Sequence, residues 1–292
     1  MALNVIDIAS WQHGLSLPVM FEENPDLHGV MVKVSQGTGY VNPDAAAWLA
    51  WLIIQGKPFG TYHYLDTAGA EAEARHYARS AAEYVGKGLL AIDYEGQTLA
   101  MGTGYLKACL DEVLRLTGIR PMVYCSLSVV ASPSQDFAQI AAAGYPLWLA
   151  QYADMNPVSG FLDEPWQRGS VAPFPRYVLH QYTSRGHLNG WSGNLDFDKF
   201  SGSYAEWMEL ARGKTQPLGP VKPVDPVVVS EVLAGLYGIG DERIRKLAEA
   251  GYDPAEVQQK INELYGVAGR VRPLVAENME YLNSIIKIVR SD

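Results

Sequence analysis

Short apolar segments alternate with helical segments along residues 4–212, and this alternation limits the fold more than any other feature of the sequence. An apolar run of roughly four to eight residues between turn residues is typical of a buried strand. Strands are predicted at residues 4–9, 29–35, 58–65, 89–95, 121–126, 146–152, 177–183 and 193–197. Strands that alternate with helices favour parallel pairing through crossover connections. The sequence therefore predicts an α/β fold, a TIM-like (β/α) barrel over residues 1–212.

Fewer helices than strands can be recognised in the same region. Helices are predicted at residues 45–55, 70–85, 103–116, 134–143 and 203–212. One of them shows both expected end signals, with Pro43 near its start and Gly56 at its end. Residues 153–175 are rich in Pro, Gly and Asp and are predicted to form a long loop. We therefore expect a helix ring that is incomplete in the second half of the barrel.

Carboxylates occur within or at the ends of predicted strands, where an apolar core is not expected to hold them. Asp93 and Glu95 close the fourth strand. Because side chains alternate along a strand, these two share one face, with Cα atoms about 7 Å apart. Asp7 lies in the first strand and Asp196 in the eighth. The first and eighth strands of a closed barrel are neighbours, so all four acids are predicted to meet at one mouth.

Glycoside hydrolysis uses a pair of carboxyl groups, one to protonate the leaving oxygen and one to support positive charge on the sugar. The candidate catalytic residues are therefore Glu95, Asp93, Asp7 and Asp196. Two alternatives remain open from the residues alone. Asp93 and Glu95 could be ordinary surface acids at a strand end, and Asp7 and Asp196 could accept hydrogen bonds from loop amides.

Aromatic and hydrogen-bonding residues crowd the same strand ends. Rings with polar tips suit sugars, which are apolar on their faces and polar at their edges. The candidate substrate-binding residues are Lys33, Tyr40, Tyr62, Tyr64, Tyr124, Trp148 and Gln181. Tyr62 could equally belong to the barrel core, and Lys33 could equally be a counter-charge that keeps one acid ionised.

The composition changes after residue 212. Residues 213–227 are rich in proline and are predicted to be a semi-extended linker. Residues 228–265 contain three short helical segments and are predicted to form a small all-α module. Residues 266–292 are predicted to be a helical tail with an apolar stripe. This stripe could pack on the module or on a second copy of the chain, which would give a homo-oligomer.

Charge and composition argue against several other classes of protein. The net charge of -9 and the pI of about 5.2 disfavour nucleic acid as a partner. No segment has the length and uninterrupted apolar character of a membrane span, and the first residues lack the positive charge of a signal peptide. The six histidines show no metal-ligand spacing with cysteine or with each other, so a structural metal site is not indicated.

Seven short blocks, in order along the chain, resemble the family 25 glycoside hydrolases, which are lysozymes of phage and bacterial origin. The blocks are Val5–Gln12, Val32–Gly37, Phe59–Tyr64, Ile92–Glu95, Leu147–Tyr152, His180–Tyr182 and Gly193–Asp196. Residues 228–265 resemble a cell-wall-binding repeat of the CW-seven type, through segments such as Gly238–Gly240 and Ala250–Asp253. Many such repeats carry tryptophan where this chain has Tyr237.

The resemblance implies hydrolysis of the β-1,4 bond between N-acetylmuramic acid and N-acetylglucosamine in bacterial peptidoglycan, with a muropeptide bound at the C-terminal module. It implies that Glu95 is the general acid, that Asp93 is either the nucleophile or the residue that orients the substrate's acetamido group, and that Asp7 and Asp196 fill the remaining acidic positions. The implied reaction requires no metal or cofactor. Without a signal peptide, a phage endolysin is expected to stay in the host cytoplasm until lysis. A chitinase-like glycosidase and a non-catalytic wall-binding protein are the alternative functions.

Overall fold

The chain divides into two units, residues 1–218 and residues 219–292, in the computed structural model. The structure describes residues 2–213 and 223–239 without a break, and then residues 243, 246–247, 250, 252, 254 and 256–264. The first unit holds a β-barrel with its helices, and the second holds a small apolar core.

Eight strands within residues 2–213 close into a barrel. The strands of the sheet are β1 (Leu3–Ile8), β2 (Gly29–Gln36), β3 (Tyr40–Val41), β4 (Phe59–Tyr64), β5 (Leu89–Asp93), β6 (Met122–Ser126), β7 (Leu147–Ala150), β8 (Val158–Ser159), β9 (Tyr177–His187) and β10 (Leu195–Phe200). Around the barrel the order is β1-β10-β9-β7-β6-β5-β4-β2, and β2 pairs with β1 to close it. The short strands β3 and β8 pair with β2 and β9 outside this ring. The predicted barrel is confirmed.

The eighth barrel strand, β10, runs in the opposite direction from the prediction. It pairs antiparallel with both β9 and β1, whereas the other neighbouring barrel strands pair in parallel. The reason is the length of the connection, because only residues 188–194 separate β9 from β10. A parallel connection needs a crossover of roughly a dozen residues or more, so a link this short must reverse the chain. The prediction of parallel pairing throughout was wrong for this strand.

The helices are concentrated in the first part of the barrel. They are α1 (Leu17–Glu23), α2 (Ala45–Ile54), α3 (Ala70–Ser80), α4 (Gly102–Thr117), α5 (Leu127–Val130), α6 (Ala138–Ala142) and α7 (Tyr204–Ala211). Between β7 and β10, a stretch that the structure describes in full, no α-helix occurs. The expected gap in the helix ring is therefore present. The helix α1 was not predicted, and the predicted helix at residues 134–143 is shortened to α6.

Alternation along the strands separates an outer apolar layer from the barrel interior. In β1, Ile6 and Ile8 belong to the core between strands and helices. Each fully buried side chain of this type stabilises the fold by about 1.5–3 kcal/mol. Asp7 lies between them in the chain and therefore faces the interior, where it is 5% exposed. The same rule applies to β5, where Leu90 and Ile92 face outward and Asp93 faces inward.

The second unit is described in part. Its helix α8 (Pro226–Leu233) is capped by Asp225, whose side chain accepts hydrogen bonds from the backbone of Val227 and Val228. Residues 256–264 are also helical. The buried core consists of Val228, Val229, Val232, Leu247, Val257 and Ile261.

Several predicted elements fall wholly or partly outside the described residues. The predicted tail at residues 266–292 lies outside them, as do residues 214–222 of the predicted linker and part of the predicted three-helix module. Among the residues that are described, none of the helices combines the length and apolar character that crossing a membrane requires.

Candidate active site

A cavity of about 200 Å³ opens at the barrel mouth where β2, β4 and β5 end. It is lined by Asp7, Ala9, Trp11, Gln12, Lys33, Tyr62, Tyr64, Asp93, Glu95, Tyr124, Trp148, Gln181 and Asp196. Every candidate site residue from the sequence except Tyr40 lines this cavity. The four predicted acids therefore share one mouth.

Asp93 and Glu95 reach the cavity by strand alternation. The extended backbone continues past the end of β5 to Glu95, which has φ -153° and ψ -174°. Tyr94 between them points to the opposite side, where it is fully buried and its hydroxyl donates to Gln135 Oε1 at 2.8 Å. Asp93 Oδ1 is buried and has no hydrogen-bond partner among the residues that the structure describes. An acceptor of this kind is costly unless a ligand supplies the donor.

The turn after Glu95 depends on a glycine. Gly96 has a φ of +60°, a conformation that L-residues with a side chain rarely adopt. A Cβ atom at this position would also lie 2.6 Å from the Tyr64 hydroxyl oxygen. Gly96 therefore allows Tyr64 to approach the backbone next to Glu95, and the ring and the acid line the same cavity.

Asp7 and Asp196 meet across the antiparallel strand pair β1 and β10. They are directly opposite each other in the antiparallel register of β1 and β10. Asp196 lies near the beginning of β10, and it reaches the mouth because that strand runs in reverse. Asp196 lies at the mouth as predicted, but it reaches the mouth from the beginning of an antiparallel strand rather than from the carboxyl end of a parallel one.

Gln181 on β9 holds Asp7 in place. Its Oε1 accepts hydrogen bonds from the hydroxyls of Tyr124 at 2.8 Å and Tyr152 at 2.6 Å. Because both hydroxyls donate to this oxygen, the amide nitrogen must face the other way. Gln181 Nε2 donates to Asp7 Oδ2 at 2.7 Å. The orientation of the Asp7 carboxyl is therefore fixed from the floor of the cavity.

The acids of the mouth raise one another's proton affinity. Burial and the neighbouring Glu95 raise the pKa of Asp93, and Lys33 offsets part of this. Burial also raises the pKa of Glu95, again opposed by Lys33. Burial and then the charges of Asp7 and Glu95 raise the pKa of Asp196 to about 8. The raised pKa keeps Asp196 protonated near neutral pH, and the upward shift of the Glu95 pKa is the one that a general acid needs.

Lys33 projects from β2 into the same cavity. Its Nζ donates to Gln36 Oε1 at 2.8 Å and lies 4.5 Å from the centre of the Tyr64 ring. The centre of the Tyr40 ring lies 5.9 Å from Lys33 Nζ. The Tyr40 hydroxyl donates to Ser10 Oγ, however, and the ring does not line the cavity. Tyr40 therefore supports the rim rather than lining the mouth.

Trp148 and Tyr62 form the floor of the cavity. They are 1% and 7% exposed, and their rings meet edge-on with centroids 5.8 Å apart. The indole Nε1 of Trp148 donates to Asp198 Oδ1 at 2.7 Å, so it is not available to a ligand. The reading of Tyr62 as barrel core agrees with this burial, although both rings also touch the cavity.

Besides Ala9, four residues at this site were not among the sequence candidates. Trp11 and Gln12 line the cavity from the 3-10 helix that directly follows β1. Tyr152 holds Gln181, and Asp198 lies fully buried beneath the mouth. The alternation rule could have found Asp198, since it lies two residues after Asp196 on the same strand.

Clustered carboxylates can also bind metal ions. In the described part of the chain, no group of three or more His, Cys, Asp or Glu side chains is arranged to hold a metal ion.

Two family models match the sequence. The glycosyl hydrolases family 25 model matches residues 6–191, and the CW_7 repeat model matches residues 227–265. A lysozyme of Streptococcus phage Cp-7 is 30% identical over 273 residues, which cover 89% of this chain and 69% of that protein. The chain belongs to family 25 of the glycosyl hydrolases. It is therefore a glycoside hydrolase, and the family match does not favour the chitinase-like or non-catalytic alternatives.

Solved structures of family 25 relatives share the fold. A lysozyme from Streptomyces coelicolor has a TM-score of 0.57 at 20% identity, covering 72% of this chain and 97% of that one. The CTP1L endolysin has a TM-score of 0.58 at 23% identity, covering 74% of this chain and 71% of that one.

Proposed function

We propose that this family 25 glycoside hydrolase is an N-acetylmuramidase of the phage endolysin type. It cleaves the β-1,4 bond between N-acetylmuramic acid and N-acetylglucosamine in bacterial peptidoglycan. The family match, the similarity to a phage lysozyme and the CW_7 repeat support this proposal. The observation that carries it is the acidic mouth, in which Asp93 and Glu95 face one cavity.

Glu95 is the general acid of the proposed reaction. It lies at the mouth, half-buried, and burial raises its pKa, so it holds a proton when the glycan arrives. It donates this proton to the glycosidic oxygen as the bond to the sugar breaks. Lys33 opposes the rise in the pKa of Glu95, which keeps the acid strong enough to release the proton.

Asp93 supports the positive charge that develops on the sugar. It acts either as the nucleophile or by orienting the acetamido group of the substrate. The unpartnered Asp93 Oδ1 suits the second role, because an acetamido N–H supplies the donor that this buried oxygen lacks in the described residues. Asp7 and Asp196 complete the acidic wall on the side of β1 and β10.

The remaining residues of the cavity bind the glycan. Polar groups and ring edges hold hydroxyl and acyl groups, and ring faces cover the apolar faces of the sugars. The proposed substrate contacts are Lys33, Tyr62, Tyr64, Tyr124, Trp148 and Gln181, with Trp11 and Gln12 added from the geometry and Tyr40 contributing through the rim.

The second unit anchors the enzyme to its substrate in this proposal. The proposed organisation is a catalytic barrel at residues 1–212, a linker at 213–227, a wall-binding module at 228–265 and a tail at 266–292. The match of residues 227–265 to the CW_7 repeat supports a muropeptide site on the module. Association of two chains through the tail and retention in the host cytoplasm until lysis stay predictions.

The variant Glu95→Gln tests the proposal, because it removes the acid with little change in shape. We expect the release of new reducing ends from purified Gram-positive cell walls to fall by on the order of 10²–10⁴-fold. Glu22→Gln is the matched control, since Glu22 is exposed on α1. Mass spectrometry of the wild-type digest should show muramic acid at the new reducing end. Full activity in Glu95→Gln, or glucosamine at that end, would contradict the proposal.

A further inference from the structure

Asp198 is a fully buried carboxyl group that the proposed reaction does not use. It lies on β10, opposite Val5 of β1 and Gln181 of β9, and is 0% exposed. Trp148 Nε1 donates to its Oδ1 at 2.7 Å. Within the described residues, no amide, indole or hydroxyl group donates to its Oδ2, which is also buried. An acidic side chain with one unsatisfied oxygen in such a place needs a compensating partner.

The carboxyl group of Asp7 is that partner. Asp7 and Asp198 face the barrel interior from the paired strands β1 and β10, two positions apart in the register, so that their carboxyl groups lie within hydrogen-bond reach. Gln181 Nε2 holds Asp7 from the other side at 2.7 Å. Two carboxylates have no hydrogen to share, so a hydrogen bond between them exists only if one of the two keeps its proton. Two buried carboxyl groups this close cannot both ionise at moderate cost.

We propose that Asp198 is a positioning residue for Asp7: the two carboxyls share one proton, so that Asp7 meets the glycan as a neutral group. The inference rests on the proposed muramidase function. The pair then places one negative charge beneath the mouth instead of two. The negative charge needed for the reaction is left to Asp93, where Lys33 opposes the effect of burial on the pKa. Asp7 stays anchored between Gln181 and Asp198.

Other ionisable groups surround this pair. The acidic groups that face it are Asp93, Glu95 and Asp196. The phenols that face it are Tyr62, Tyr124, Tyr152 and Tyr182. Burial raises the pKa of each of these tyrosines, so they stay neutral through the working range. Lys33 instead faces Asp93 and Glu95.

The variant Asp198→Asn removes the second carboxyl without changing the shape of the side chain. Its Oδ1 can still accept from Trp148, while its amide N–H donates to Asp7 and favours the ionised form. Asp7 should therefore release its proton at lower pH than in the wild type. In infrared titrations of protein with isotope-labelled aspartate, the C=O band of neutral aspartic acid should disappear at lower pH, by about one pH unit or more. Asp163→Asn, at an exposed position, is the matched control.

The variant Trp148→Phe gives a shift of opposite sign. Loss of the indole donor removes a hydrogen bond that favours the ionised form of Asp198. The shared proton should therefore leave at higher pH than in the wild type. If neither variant moves the infrared titration, the two carboxyls do not share a proton and the inference is wrong. The wild-type titration and Trp148→Phe keep this test available even if Asp198→Asn does not fold.

The pH dependence of kcat/KM distinguishes a positioning role of Asp198 from a purely structural one. The ratio of wild-type to Asp198→Asn kcat/KM should grow with pH on the alkaline side, by up to about tenfold per pH unit. A structural role would lower the rate by the same factor at every pH, and a constant ratio overturns the inference. Failure of the proposed function would give a different result. Glu95→Gln would keep the wild-type rate of wall digestion, whereas the infrared titrations of the Asp7–Asp198 pair would be unaffected.

Discussion

Glu73 and the acids of the barrel mouth are both buried carboxyl groups, yet their surroundings differ. Glu73 lies on α3 with a fully buried side chain. Its Oε1 accepts from the Tyr105 hydroxyl at 2.8 Å and the Ala68 backbone at 2.9 Å. Its Oε2 accepts from the Asp66 backbone at 2.6 Å and His63 Nε2 at 3.3 Å. Burial alone would raise the pKa of Glu73, but these donors outweigh it and the pKa is lowered.

The acids at the mouth lack the full set of hydrogen-bond donors that surrounds Glu73. Asp93 Oδ1 has no hydrogen-bond partner among the described residues, and Asp198 Oδ2 faces only the carboxyl group of Asp7. Burial raises the pKa of both Asp93 and Asp198. The difference shows that burial does not decide the charge of an acid in this barrel, whereas the number of donors does. Glu73 has the surroundings of a structural anion, whereas Asp93 keeps an unsatisfied acceptor beside the cavity that would hold the substrate.

His63 connects the two regions through β4. Burial lowers its pKa, so the imidazole is neutral and its contact with Glu73 is a hydrogen bond rather than an ion pair. The ring Nδ1 lies 2.9 Å from Ser35 Oγ on β2, which fits a serine O–H donating to the ring while Nε2–H donates to Glu73. The network thus fixes the loop after β4 behind the mouth.

The variant Glu73→Gln should disrupt the hydrogen bonds that hold the buried Glu73 carboxylate. The amide cannot accept four hydrogen bonds and leaves buried donors unsatisfied, so we expect the free energy of unfolding to fall by about 3 kcal/mol. Activity per folded molecule should stay near the wild-type value, because Glu73 does not line the cavity. Urea unfolding followed by fluorescence measures the first effect and wall digestion the second.

Glu71→Gln on the same helix provides the control for this experiment. Glu71 is exposed, and its contact with Arg75 at 3.7 Å is a surface ion pair. Its loss should change the free energy of unfolding by less than about 0.5 kcal/mol. A Glu73→Gln protein as stable as this control would show that the donors around Glu73 do not stabilise its charge.

Asp196 at the mouth should make the protein less stable as pH rises. The lowered pKa of Glu73 acts in the opposite sense, because its contribution to stability is lost as pH falls. The pKa of Asp196 is raised to about 8 in the folded protein, against about 3.9 for an unfolded aspartate. Between these values the folded state binds a proton that the unfolded state has lost, so stability falls as pH rises through this window. Asp196→Asn stays neutral and should make the fall in the melting temperature shallower. An unchanged slope, equal to that of the exposed Asp163→Asn, would contradict the raised pKa of Asp196.

Much of the mouth could be predicted because strand alternation is a local rule. It placed Asp93 and Glu95 on one face, and the cavity confirms that placement. The direction of β10 was missed although the short link at residues 188–194 contained the information. The Glu73 network could not be predicted, because its donors come from separate turns and helices that only tertiary folding brings together. Tyr40 was misplaced for the same reason, since its hydroxyl turns toward Ser10.

The smallest expected effect concerns the rim. Trp11 is 89% exposed, yet its turn is held by the Ala9 backbone N–H donating to Gln12 Oε1 at 2.9 Å. An exposed indole on a fixed turn beside the acids is suited to cover the apolar face of a sugar ring. Trp11→Ala should therefore raise KM for polymeric peptidoglycan by roughly three- to tenfold, equivalent to about 1 kcal/mol, with little change in kcat.

Trp166→Ala is the matched control for the rim, because Trp166 is also exposed, at 41%, but does not line the cavity. If both substitutions change KM equally, the effect comes from nonspecific adsorption of exposed aromatic rings to the polymer. Trp11 would then not bind a sugar ring at the rim. If Trp11→Ala instead lowers kcat at unchanged KM, the ring acts on the geometry of the acids. The mouth would then depend on Trp11 in the way that the loop after β4 depends on Glu73, through support rather than through contact with the glycan.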